Sequence, residues 1–223
     1  MRFIVPFLAA AGLARAGLLE TVVKRDDYWG GSVSLGPSKS TIINAVTTLI
    51  PGAAPEPQNG MSNGTGDLVQ TTLESWSDNS WCGATSGQWC VRASVFGGFG
   101  QLDGPGSPVS GTDQVRIEYN LESDGETWKQ TVTNGQTGAL LSTYSLASGP
   151  YMRGYGTGTE CNDNCSGTIA AQKYLNTVIT LSSADTTFGS TIASAGGATY
   201  TGLSSSQGGK VWTIKQIDIP SMH

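Results

Sequence analysis

From Trp29 to Pro220 the chain never sustains a helical repeat; short runs rich in Val, Ile, Thr, Tyr and Trp are cut at close intervals by Gly, Pro, Asn, Asp and Ser. β-Branched and aromatic side chains suit a pleated, half-buried surface, and the residues between the runs accept turn geometry, so the pattern points to a sandwich or barrel. The clearest run alternates Val115, Ile117, Tyr119 and Leu121 with Arg116, Glu118, Asn120 and Glu122, giving one apolar and one polar face. Strands are predicted at 32–35, 41–49, 68–75, 88–95, 114–122, 127–133, 139–146, 174–181 and 211–219. Residues 51–66 and 97–111 are rich in Pro and Gly and read as loops within one unit. The sequence therefore predicts an all-β fold, a two-sheet antiparallel β-sandwich that buries roughly 70% of its unfolded surface. No glycine-rich stretch has the spacing of a phosphate loop or a dinucleotide fingerprint.

The chain holds a single histidine, His223, at its last position. A Ser/His/Asp or Cys/His mechanism needs an imidazole fixed beside its nucleophile, and zinc or copper sites usually need fixed imidazoles too, so both classes are set aside. Catalysis, if present, would fall to carboxylates, amides, hydroxyls or tyrosines. Lys and Arg number 12 against 17 Asp and Glu, a net charge of −5 with no basic patch. That balance argues against nucleic acid as a partner. No metal or organic cofactor is indicated.

Arg2 precedes an apolar run from Phe3 to Ala14, and Ala14-Arg15-Ala16 offers the small-x-small pattern of a cleavage site, so residues 1–16 are expected to be a secretory signal peptide. The run is shorter than the roughly 20 apolar residues a membrane-spanning helix needs, and no later segment qualifies. Lys24-Arg25, ahead of Asp26-Asp27, is a dibasic step of the kind that processing proteases cut, making 17–25 a short pro-segment; the alternative is a solvated charge pair. A single domain would then occupy 26–223. Removing residues 1–25 leaves 8 basic and 16 acidic side chains, a net charge of −8. A secreted, extracellular and monomeric protein is expected.

Four cysteines in a secreted chain read as two disulfides. Local pairs, Cys82 with Cys90 and Cys161 with Cys165, are the simplest of three connectivities, and the crossed ones remain open. Asn63-Gly64-Thr65 and Asn164-Cys165-Ser166 are N-glycosylation sequons, so Asn63 and Asn164 are expected on surface loops.

Tyr28-Trp29-Gly30-Gly31-Ser32-Val33-Ser34-Leu35-Gly36, followed by Ile43-Asn44-Ala45-Val46 and Ile50-Pro51, resembles the opening of the fungal glutamic peptidases, the eqolisins. Leu68-Val69-Gln70-Thr71-Thr72 resembles the family's Leu-Gln-Thr-Gly strand, whose Gln is one of two catalytic residues. Asp113 to Leu121 and Asn134-Gly135-Gln136-Thr137-Gly138 resemble a later strand and turn. What the resemblance implies is a concanavalin-A-like double-sheet jelly roll, secreted, with an extended cleft on one sheet and Gln70 in it.

The departures from the family matter as much. Its second catalytic residue is a Glu ending an Ala-Glu-aromatic-Ile-Ile-Glu strand, and the counterpart placed here, Ala171-Gln172-Lys173-Tyr174-Leu175-Asn176, puts Asn176 at that position. An amide cannot take a proton from water, and losing a positioned general base forfeits about 10²–10⁴ in rate. The family's Trp-Val-Gly-Ile-Asp-Gly run is replaced by Gln58 to Gly66. Gln70, Thr72 and Glu74 share a strand face, with Glu74 roughly 13 Å along from Gln70 at ~3.3 Å per residue, too far for a shared water. A carboxylate pair from neighbouring strands, Glu74 with Glu118, is the candidate for glycan chemistry, while Glu118 and Glu122 also read as a solvated face with Arg116 as counter-charge.

Trp76, Trp81 and Trp89 cluster around Cys82 and Cys90 in polar company, and indoles on a braced loop could stack on sugar rings or peptide side chains; packing against the disulfide is the alternative. Tyr151 and Tyr155, in a Gly-rich loop before Cys161, could extend the same rim. Two functions follow. The first is a non-peptidase eqolisin relative that binds an extracellular polysaccharide or peptide, with Gln70 and Asn176 as cleft amides. The second is an acid-acting hydrolase, using either Gln70 with a carboxylate not identified in the sequence or a carboxylate pair. Whether an acid lies beside Gln70 separates them.

Overall fold

The computed structural model describes residues 28–55, 67–161 and 167–223. The expected signal peptide and pro-segment, both sequons with Asn63 and Asn164, and Cys165 all lie outside them. The described chain forms β1 (Tyr28–Leu35), β2 (Ile42–Ile50), β3 (Leu68–Glu74), β4 (Gln88–Gly97), β5 (Gly100–Asp103), β6 (Ser107–Ser110), β7 (Val115–Leu121) and β8 (Thr127–Asn134). It continues with β9 (Leu140–Ala147), β10 (Tyr155–Cys161), β11 (Gln172–Leu181), β12 (Ala193–Ala195), β13 (Thr199–Thr201), β14 (Ser204–Ser206) and β15 (Val211–Ile219). Only short 3-10 turns interrupt them, at Ser80–Cys82, Phe188–Thr191 and Gln207–Gly209.

The strands pair antiparallel in three sheets that build an all-β sandwich. One layer is an eight-stranded sheet in the order β13-β15-β11-β2-β7-β8-β9, with β14 also pairing β15. Against it lie two smaller sheets, β10-β1-β12 and β3-β4-β5 with β6 beside β4. The second of these packs through β4 on β8 and β9, and the first through β1 on β15. One core fills the space between the layers: Leu49, Ile117, Val132, Ile179, Ile214 and Ile217 from the large sheet, Val33, Leu35, Val91 and Ala93 from the small ones. Burial of these side chains drives the stacking, at about 1.5–3 kcal/mol for each large aliphatic removed from water.

Two buried polar side chains tie the layers. Gln130 Nε2 on β8 donates to the Ser94 carbonyl of β4 at 2.7 Å, and the Ala93 amide donates to Ser142 Oγ on β9 at 2.9 Å. The Cys82–Cys90 disulfide closes the loop ahead of β4. Cys161 is also disulfide-bonded.

Several segments differ from the sequence reading. The Pro- and Gly-rich stretch 97–111 contains β5 and β6, and the Gly-rich segment before Cys161 is strand β10, paired along β1. Glycines at 156 and 158 mask that strand because they contribute no side chain to any alternation. At the β1–β10 irregularity between Trp29 and Ser32, a Cβ on Gly30 would overlap Thr159 Oγ1, so close packing demands glycine there.

Candidate functional site

The two small sheets do not pair with each other. Among the described residues β3 bonds only to β4, and β10 only to β1, so each presents a free edge. Between those edges lies a cavity of about 610 Å³, whose floor is the inner face of the large sheet at Thr47, Leu49, Ile117, Tyr119 and Tyr174. Its walls have a telling sequence. Gln70 to Glu74 on β3 and Tyr155 to Glu160 on β10 line it consecutively, without the alternation that a strand face would show. Successive side chains of a strand point to opposite faces, so a cavity that touches all of them meets the strand along its edge, where outward N–H and C=O groups stand.

Cross-strand pairing fixes which side chains stand together. Thr72 opposes Arg92, Gln70 opposes Ser94, and Ser94 opposes Asp103. Gln70, Thr72, Glu74, Arg92 and Asp103 therefore share the face of their sheet turned away from Val91 and Ala93. On β10, Tyr155 and Thr157 oppose the core residues Leu35 and Val33 and turn inward. Gly156, Gly158 and Glu160 turn the other way by alternation.

Glu74 is fully engaged. It accepts from Arg92 Nε (2.8 Å) and Nη2 (2.8 Å), from Trp76 Nε1 (2.7 Å) and from Thr72 Oγ1 (2.5 Å). The same guanidinium donates through Nη1 to Asp103 Oδ2 at 2.5 Å, and Gln101 Nε2 donates to Asp103 Oδ1 at 2.8 Å. Four donors occupy its two oxygens, so Glu74 serves to hold the wall of the cavity together.

The amides are in the opposite condition. Gln70 is 2% and Gln172 6% exposed, both line the cavity, and the Oε1 atom of each has no hydrogen-bond partner among the described residues. A buried acceptor left without a donor costs about 1–3 kcal/mol, which a donor entering the cavity would recover. The floor phenols stay neutral. Burial pushes Tyr155 up to about 12, with the Thr177 and Thr47 hydroxyls beside it drawing it back, and burial raises Tyr119 and Tyr174 as well.

Several expected site residues stand elsewhere. Asn176 is exposed, at a left-handed φ of 52° in a bulge of β11 between Leu175 and Val178, and is no cleft amide. The extra residue carries the inward face from Tyr174 to Thr177 and leaves Asn176 outside. Glu118 is not beside Glu74: β7 belongs to the large sheet, and Glu118 takes Arg116 Nη1 at 2.7 Å on the face opposite Ile117 and Tyr119.

The aromatic rim is also divided. Trp76 lines the cavity, and so does Trp89, although it is a core residue whose Nε1 donates to the Gly52 carbonyl. Trp81 does not line it; the Arg92 guanidinium covers its ring at 4.7 Å. Tyr155 belongs to the cavity's inner wall, while Tyr151 is remote on the surface.

Glu160, Gln172, Arg92 and Asp103 escaped the sequence reading. Arg92 alone carried a signal, as the one charge in the apolar run Val91 to Val95. Among the described residues no cluster of His, Cys, Asp and Glu is disposed to hold a metal ion, and no helix is long and apolar enough to cross a membrane. No protein-family model matches this chain, and no curated protein matches it.

Proposed function

We propose that this chain is a secreted, eqolisin-like sandwich that binds without hydrolysis, taking an extended peptide segment as an added strand between β3 and β10. The observation that carries the reading is the unbroken lining of one cavity by Gln70 to Glu74 and Tyr155 to Thr159, two free edges facing one space. A peptide repeats N–H and C=O groups at the interval of a strand edge, which a glycan does not, and strand addition uses that match. Gln70 and Gln172 supply two further acceptors for its N–H groups or side chains.

Glu160 favours a second reading. It lines the same cavity on β10, so a carboxylate shares the slot with Gln70. In acid hydrolysis Gln70 would polarise the scissile carbonyl and Glu160 would move the proton.

Unfolded, carboxymethylated protein separates the two when mixed with the purified chain between about pH 2 and 5, around the ~4.3 reference pKa of Glu. Association is read by fluorescence anisotropy and cleavage by mass spectrometry. Strand addition expects association without cleavage, weakened about 5- to 10-fold in Gln70→Ala, the worth of one hydrogen bond. Cleavage lost in both Gln70→Ala and Glu160→Gln establishes the hydrolase instead. Neither association nor cleavage by the folded protein defeats both.

A further inference from the structure

A second cavity, of about 520 Å³, lies on the surface where the turn entering β8 meets the segment after β9 and the residue ahead of β3. Asp67, Glu126, Ser148 and Tyr151 line it, and none of them lines the slot. Three observations make it a site. Ser148 is 8% exposed, and its Oγ has no hydrogen-bond partner among the described residues. The Tyr151 ring is 78% exposed and lies over Gly149 (φ +70°), so close that a Cβ there would meet it. The segment beneath is tied down: the Gly149 amide donates to the Glu126 carbonyl (3.0 Å), Trp128 Nε1 donates to the Gly149 carbonyl (2.9 Å), and Thr41 Oγ1 donates to the Pro150 carbonyl (3.0 Å).

We infer that this cavity binds one pyranose ring of a glycan, with its C–H face on Tyr151 and its hydroxyls on Asp67, Glu126 and Ser148. Ionised carboxylates only accept hydrogen bonds, and a serine hydroxyl both donates and accepts. A sugar hydroxyl satisfies all three groups, whereas an ammonium ligand could not accept from Ser148. The exposed aromatic ring offers the flat apolar surface that the C–H face of a sugar needs. Neither Asp67 nor Glu126 is in an ion pair among the described residues, so both remain open to such donors.

Calorimetric titration of the full chain with the hexasaccharides of β-1,3-glucose, β-1,4-glucose and β-1,4-N-acetylglucosamine tests the assignment. At least one is expected to bind, with affinity falling about tenfold or more in Tyr151→Ala, about fivefold in Ser148→Ala, and not at all in Gln70→Ala. Tyr151 is too exposed for its loss to unfold the protein, so that variant decides even if Ser148→Ala folds poorly. No binding of any of the three, or binding that survives Tyr151→Ala, overturns the inference. Binding lost in Gln70→Ala instead overturns it too, because the sugar would then sit in the slot, and that outcome also removes the peptide reading proposed above.

Discussion

Arg92 grips Glu74 through two hydrogen bonds of 2.8 Å, Nε to Oε1 and Nη2 to Oε2, across the β3–β4 ladder. The fork holds the slot wall in shape, because the same guanidinium reaches Asp103 on β5 and covers the Trp81 ring. A planar guanidinium can make these contacts together and an ammonium cannot. Arg92→Ala is therefore expected to lower unfolding free energy by about 2 kcal/mol, and Arg92→Lys to restore less than half of it. Urea midpoints of the two variants, of Arg92→Met and of Glu74→Gln/Arg92→Met check this. The double variant should be more stable than Arg92→Met alone, since it leaves no uncompensated carboxylate at position 74.

Asn176 gives a prediction of the opposite kind. Its φ of 52° lies in the left-handed region, which asparagine tolerates better than most residues and glycine tolerates freely. Asn176→Ala should cost about 1 kcal/mol while Asn176→Gly is neutral or slightly stabilising. Neither should alter peptide association in the slot. Thermal melts and the anisotropy assay give both readouts, and weakened association by stably folded Asn176→Ala would return this residue to the site.

What was legible in the sequence follows side-chain alternation. β15 ends where expected, and β7 shows its apolar and polar faces because every position carries a side chain that reports its surroundings. β10 was hidden because Gly154, Gly156 and Gly158 report nothing, and with it went Glu160 and half of the slot. The family-like strand is expected at Ala171 to Asn176, and those residues lead into β11 of the large sheet, where Gln172 and Tyr174 reach the slot while Asn176 faces outward. Local features such as the Cys82–Cys90 bridge need only short-range geometry. The β2–β11 pairing joins segments more than a hundred residues apart, and periodicity carries no record of which strands meet.

Asp185 predicts how the fold responds to acid. Its carboxylate accepts from Thr187 Oγ1 (2.6 Å), the Thr187 amide (2.9 Å) and the Lys39 amide (2.8 Å), pinning the β1–β2 connection to the segment after β11. The Thr187 hydroxyl foremost, then the Lys39 amide, hold its pKa down at about 2. The unfolded chain binds this proton near pH ~3.9, so the stabilisation is complete above that value and is lost as pH falls through about 2. Asp185→Asn should be less stable by about 1–2 kcal/mol at pH 5, with the gap closing toward pH 2. Urea titrations at half-unit pH steps on both proteins read the difference directly; a constant gap would show that the charge contributes nothing.

Gln130 separates packing from polarity at the join between the layers. The side chain is fully buried, its Nε2 donates to the Ser94 carbonyl at 2.7 Å, and its Oε1 has no partner among the described residues. One favourable bond and one unsatisfied acceptor therefore reside on the same amide, and their contributions oppose each other. Gln130→Met removes both while keeping most of the volume, so it should cost only about 1 kcal/mol. Gln130→Ala removes both and opens a cavity between β8 and β4, which raises the cost to about 2–4 kcal/mol. Denaturant unfolding of the two variants tests the division. If Gln130→Met is as damaging as Gln130→Ala, the bond to Ser94 rather than the filled space holds the layers together, and the unsatisfied oxygen must then cost less than its burial implies.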